Sequence, residues 1–191
     1  AEIPENGYHG HDIIETAQAI IDQDGDKYLD MPEEERLELF KDRAYAEKLK
    51  ALKRDLAHFN VHYDNWFSER TLHPDAIQAA CKVLEERGKI YEKDGALWLK
   101  STDYGDDKDR VVIRDNGVPT YLAADIAYHK NKYDRGFKKM INIWGADHHG
   151  YIPRVKGALA AIGLDPEVLE VALVQFAVLY RNGQKASMST R

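Results

Sequence analysis

A chain of 191 residues that is 43% apolar and 31% charged is long enough to bury a core and too apolar to stay disordered. Its net charge of −6 is uneven: residues 1–40 hold twelve acids against two bases, so the remainder is basic on balance. No apolar run reaches the roughly 18–20 residues of a membrane span, and the polar start AEIPENGYHGHD lacks signal-peptide character, so neither membrane nor secreted classes are expected.

In chain order, DIIETAQAIIDQ (12–23) sets Ile13, Ile14, Ala17, Ile20 and Ile21 at helical spacing, with Asp12 as N-cap. QDGDKY is a turn. A long charged helical pattern starts at Pro32, and Leu49, Leu52, Leu56 and Phe59 give its later half an apolar stripe. Asn60 to Phe67 reads as a short β-rich run. His73-Pro74-Asp75 opens a helix that runs to Arg87 and ends at Gly88. Cys81, within that helix, has no partner for an internal disulfide, which suits a reducing, cytoplasmic setting. It reads as a small apolar filler and not as a nucleophile.

Residues 88–118 change character. Asp94-Gly95 sits between two β-prone runs, which is a hairpin signal, and a strand at Arg110–Arg114 precedes an Asn116-Gly117 turn. We read this stretch as a small β-rich insertion. Behind it a helix is expected over Tyr121–Tyr133, a strand over 139–145, a helix over Tyr151–Ile162 closed by Gly163, and a buried strand over 169–180. Helices alternating with uninterrupted apolar strands predict an α/β fold with a parallel sheet. The basic run Lys130, Lys132, Arg135, Lys138 and Lys139, opposed only by Asp134, reads as a solvated helix face and turn in preference to a phosphate-contacting surface.

WGADHHG (144–150) falls at the carboxyl end of the strand over 139–145, where open α/β sheets bind ligands. Its chemistry admits several readings. Asp147, His148 and His149 are metal-compatible side chains, yet adjacent residues project apart and no other histidine forms a spaced pair with them. Gly145 at a strand end lets a ligand approach the backbone, and a nearby aspartate can accept hydrogen bonds from ribose or an ammonium group. A plain strand-to-helix turn, with Asp147 as N-cap, is the third reading. One helix earlier, Tyr121 and Asp125 stand four apart and share a face. An aromatic ring beside a carboxylate suits a guanidinium, whose planar fork pairs with the carboxylate and stacks on the ring.

With GVPTYLAADIAYHKNKYDRGF (117–137), INIWGADHHGYIPRVKGAL (141–159) and LVQFAVLYRNGQKASMSTR (173–191), the chain resembles arginyl-tRNA synthetase, a class I aminoacyl-tRNA synthetase. ENGYHGHDI (5–13), VHYDNWFSE (61–69) and ALWLKSTDYGDDKDRVVIR (96–114) carry the same likeness in the same order. The resemblance implies a partial Rossmann-like catalytic domain, with flanking helices and the 88–118 insertion. It also implies an enzyme that activates L-arginine with Mg-ATP and transfers it to tRNA(Arg) in the cytoplasm, without a protein-ligated metal. Tyr121, Asp125 and His148 would bind arginine. Gly145, Asp147 and His149 would border ATP, and Met188, Ser189 and Thr190 would belong to a degenerate KMSKS-like phosphate loop.

No HIGH-type sequence occurs within 1–191, since His9-Gly10-His11 lacks the Ile-Gly-His order, and the sequence around Met188 lacks both KMSKS lysines. Residues 1–191 are therefore expected to be an incomplete catalytic domain. The HIGH-containing half would precede Ala1 and a helical anticodon-binding domain would follow Arg191. Such a piece is expected to be inactive alone and to self-associate through an uncovered sheet edge. A stand-alone arginine- or nucleotide-binding paralogue and a metal-dependent hydrolase built on Asp147, His148 and His149 are the competing expectations.

Overall fold

The computed structural model describes Gly7 and residues 10–186, which fall into two compact units, one holding the described residues up to 66 together with 178–186 and the other residues 67–177. In the first unit, helix α1 (His11–Asp24) and helix α2 (Glu33–His58) form a helical hairpin. The chain reverses after α1 at Gly25, which has a φ of 57° that glycine adopts without a Cβ penalty. Three glutamates, Glu33, Glu34 and Glu35, occupy the first turn of α2, where the helix dipole favours negative charge.

Arg43 ties the two helices together. Its guanidinium pairs with Asp24 and donates to the Tyr28 hydroxyl at 3.0 Å and to Gln23 Oε1 at 2.9 Å. That contact holds the Asp24 carboxyl below the usual carboxylate range. Asp12 is not the N-cap expected from the sequence. Gly10 takes that position, and Asp12 lies in the first turn, its carboxylate 2.9 Å from Lys48 Nζ. The stripe on α2 is likewise not a buried one: no residue of α2 is buried, Leu52 is exposed, and Phe59 beyond it is 84% exposed.

Residues 60–67, expected as a short β-rich run, form no strand. Two of their aromatic groups find local partners instead: Tyr63 meets Trp66 edge to face at 5.3 Å, and Lys53 Nζ lies over the Trp66 ring.

The second unit holds helix α3 (Asp75–Glu86), then strands β1 (Ile90–Lys93), β2 (Ala96–Leu99) and β3 (Arg110–Ile113) in an antiparallel sheet of that order. Asp94 and Gly95 both have positive φ, as a two-residue type I′ hairpin requires. Helix α4 (Tyr121–Asp134) follows, then strand β4 (Met140–Gly145), a 3-10 turn over Ala146–Tyr151, helix α5 (Ile152–Ala161) and strand β5 (Leu169–Val174). β4 and β5 are parallel with α5 between them, one β-α-β unit.

The core of this unit joins all of these elements. Leu72, Ile77, Leu84, Leu99, Val112, Ile126, Leu159 and Leu169 are each at most 2% exposed. Burying each such side chain contributes about 1.5–3 kcal/mol. Close approach is enforced at Gly157 of α5, where an added Cβ would stand 2.8 Å from Tyr104 Cβ.

The strand expected over 169–180 is shorter and less buried. Pairing ends at Gly145–Val174 because β4 ends there, and Leu169 is its only buried residue. Among the described residues β4 and β5 pair only with each other. Ile141 and Ile143, alternate residues on one face of β4, are 58% and 72% exposed, and Leu173 and Val174 of β5 are 43% and 54% exposed. Tyr180–Arg181 (β6) pairs instead with Gln184–Lys185 (β7) in a small hairpin within the first unit.

Candidate functional site

Thr120 sets the start of α4 by anchoring it to β3: its backbone N–H donates to Val112 O at 2.9 Å and its hydroxyl to Val111 O at 2.9 Å. The helix then buries Leu122, Ala123, Ile126 and Ala127 against the core. That rotation leaves Tyr121 and Asp125 toward a cavity of about 500 Å³ at the carboxyl end of β4. Tyr121, Asp125, Ile143, Trp144, Gly145, His148 and Tyr151 line it. Tyr121 is 81% exposed, so its ring face is available to a ligand.

Asp125 is held by Tyr151, whose hydroxyl donates to Asp125 Oδ2 at 2.8 Å. Burial, reinforced by the Asp125 charge and this hydrogen bond, pushes the Tyr151 phenol far above its ordinary range, so it stays a donor. The Tyr151 ring leans on Trp144 (centroids 5.7 Å apart), and the Arg154 guanidinium lies 5.2 Å from its centroid. Arg154 Nε in turn donates to Asp106 Oδ2 at 3.3 Å. Asp106 also accepts two hydrogen bonds from Arg110, and that pairing holds its carboxyl well below the usual range.

Behind Asp125, His129 is buried between α4 and β4. Its Nδ1 lies 2.7 Å from Asp125 O and its Nε2 lies 2.8 Å from Asn142 Nδ2. A carbonyl on one side and an amide nitrogen on the other call for the neutral ring protonated at Nδ1. Burial lowers the His129 pKa, consistent with that state.

The structure thus brings Tyr121, Asp125, Gly145 and His148 to one cavity. Asp147 and His149 are exposed residues of the 3-10 turn and do not line it, although His148 Nε2 is 3.7 Å from Asp147 Oδ2. An added Cβ at Gly145 would meet Asp147 Oδ1 at 2.5 Å, the free end of an exposed side chain that can turn away. Met188, Ser189 and Thr190 lie outside the described residues. Among the described residues, no three His, Cys, Asp or Glu side chains converge as a metal-ligand group.

Tyr151 and Trp144 are the site residues that sequence reasoning missed. Tyr151 directly follows the DHHG turn, but its partner lies 26 residues upstream, beyond any local pattern. The basic run is spent on neighbours: Lys130 on Asp134, Lys138 on the Tyr133 ring, and Lys139 on Glu170.

A family model described as tRNA synthetases class I (R), catalytic domain, matches residues 22–191. The chain belongs to this family. It is 53% identical over 191 residues to an arginine–tRNA ligase of Anoxybacillus flavithermus and 55% identical over 192 aligned residues to that of Moorella thermoacetica. In both cases all of this chain is covered, and it spans 34% of the relative's length. Among solved structures, one from Campylobacter jejuni assigned as an arginyl-tRNA synthetase superposes with a TM-score of 0.87 at 42% identity, covering 98% of this chain and 41% of that one. The Thermus thermophilus arginyl-tRNA synthetase matches at a TM-score of 0.62 and 20% identity, over 90% of this chain and 36% of that one, a likeness of fold. The family fits the α/β architecture of a class I synthetase catalytic domain. No described helix is long and apolar enough to cross a membrane.

Proposed function

We propose that this chain supplies the arginine-binding wall of the activation site in an arginyl-tRNA synthetase. The whole protein would form arginyl-adenylate from L-arginine and ATP, release pyrophosphate, and pass the arginyl group to tRNA(Arg). The observation that carries the reading is the Tyr121–Asp125 pair on one cavity, with the half-buried Tyr151 hydroxyl donating to Asp125 at 2.8 Å. Asp125 accepts the guanidinium fork, the exposed Tyr121 ring stacks on its plane, and His148 faces the amino-acid end.

Gly145 lets the nucleotide approach the backbone at the strand end, with Asp147 and His149 on its outer rim. Met188, Ser189 and Thr190 are assigned to the phosphate loop by resemblance. Residues 1–191 form part of the catalytic domain, with 88–118 as its β-rich insertion. In the chemical step the arginine carboxylate attacks the α-phosphorus, so the protein works by positioning and charge stabilisation. Magnesium enters on the triphosphate as part of the substrate, and no protein-held metal is invoked. Lysine is rejected because a compact ammonium leaves hydrogen bonds of a fork-shaped site unmade.

The test is arginine-dependent ATP–pyrophosphate exchange by the full-length protein carrying this chain, made with and without tRNA(Arg). Exchange with arginine but not lysine is expected, and no exchange with arginine under either condition would refute the proposal.

A further inference from the structure

The cavity contains a device that the reading of Tyr121, Asp125 and His148 leaves unexplained. A carboxylate on an exposed helix turn rotates freely about its terminal torsion, and bidentate recognition of a planar cation requires one orientation of its plane. Here one oxygen of Asp125 is already engaged by the Tyr151 hydroxyl at 2.8 Å.

Tyr151 is itself fixed from two sides. Trp144 of β4 packs against its ring, and Arg154 lies over it while donating to Asp106, which Arg110 of β3 grips with two hydrogen bonds. Asp106 and Arg110 belong to the β-rich stretch 88–118, whereas Asp125, Tyr151 and Arg154 belong to the α/β part. The chain of contacts Asp106–Arg154–Tyr151–Asp125 therefore joins the two parts of the second unit at the guanidinium pocket.

We propose that Tyr151 is a positioning residue for arginine recognition, and that the Arg154–Asp106 pair fixes it. Its hydroxyl pins the plane of the Asp125 carboxylate so that the free oxygen and the outward lone pairs face the ligand as a fork. The inference rests on the reading that Asp125 receives the guanidinium. Tyr151 need not touch the substrate, and ATP binding does not depend on it.

The test is steady-state exchange by the full-length protein with Tyr151→Phe, which keeps the ring and its contacts with Trp144 and Arg154. Losing one hydrogen bond to a charged group is expected to raise KM for arginine about 10- to 100-fold, with KM for ATP unchanged within about twofold and a thermal midpoint near that of the parent. Arginine KM within twofold of the parent overturns the inference. So does a parallel rise in both KM values, which marks a general scaffold role. Should Tyr151→Phe fail to fold, Arg154→Met decides by the same split, with an arginine KM rise of about 3- to 10-fold expected from losing a cation–π contact.

Asp125→Asn, run beside them, separates the two layers. If it leaves arginine KM unchanged, the binding reading itself fails. If it abolishes exchange while Tyr151→Phe is silent, only the positioning role fails.

Discussion

Acidification should weaken the second unit through one residue, His129. In the fold its ring is neutral, donating from Nδ1 to Asp125 O and accepting at Nε2 from Asn142, and burial depresses its pKa below the ordinary histidine range. A histidine with a lowered folded pKa contributes its full stabilisation above the unfolded pKa. That contribution is lost as pH falls below about 6.5 and toward the folded value. The unfolded chain then binds a proton that the fold does not, so one such group steepens the pH dependence by up to about 1.4 kcal/mol per pH unit. The window lies above the region where the lowered carboxyls of Asp12, Asp24, Asp106 and Asp109 titrate.

His129→Leu should lose two hydrogen bonds and leave the Asn142 amide without its ring partner, costing about 2–4 kcal/mol at pH 7.5. It should also flatten the slope between pH 6.5 and 5.5. Urea titrations at several pH values, followed by the fluorescence of Trp66, Trp98 and Trp144, measure both quantities. Equal pH slopes in parent and variant would refute the account of His129 as a neutral buried bridge behind Asp125.

Gly157→Ala gains helix propensity of about 1 kcal/mol but forces a methyl against Tyr104. A net loss of about 1–2 kcal/mol in urea titration is expected, and a gain would show that the α5–Tyr104 contact yields freely. Burial pushes the Cys81 thiol above its ordinary range, so alkylation by iodoacetamide at pH 7.5 should run slower than that of free cysteine. A rate equal to or above free cysteine would contradict that. Residues 1–191 expressed alone should catalyse no arginine-dependent exchange and should self-associate through the uncovered β4–β5 sheet, whose edge is unpaired among the described residues and whose Ile141 and Ile143 face is exposed. Light scattering that gives a monomer at high concentration counts against the association, and exchange above background counts against the inactivity.

Much of the fold was legible because its signals are local. The helical spacing over 121–133, the Asp94-Gly95 turn and the strand ending at Gly145 each depend on residues a few positions apart. The errors came where a partner decides. Residues 60–67 have β-prone side chains, yet no described strand pairs with them: Tyr63 and Trp66 pack on each other, and Phe67 stacks on Tyr128 of α4. The apolar run 171–180 reads as one long strand, but parallel pairing can extend only as far as β4 does, so it stops at Val174. At the cavity, the shared face of Tyr121 and Asp125 was visible from i,i+4 spacing and the place of WGADHHG from the strand end before it, whereas the choice of His148 rested on the family resemblance. Tyr151 was not visible, because its hydrogen bond to Asp125 is made by the fold.

The central claim is that the Asp125 carboxylate receives a guanidinium, and calorimetric titration of the full-length protein tests it most directly. L-Arginine should bind, L-lysine should give no measurable heat at the same concentration, and Asp125→Asn should weaken arginine by at least about 100-fold, the scale of a lost charge-assisted fork. An Asp125→Asn protein that binds arginine as tightly as the parent, with its fold intact, would contradict the account.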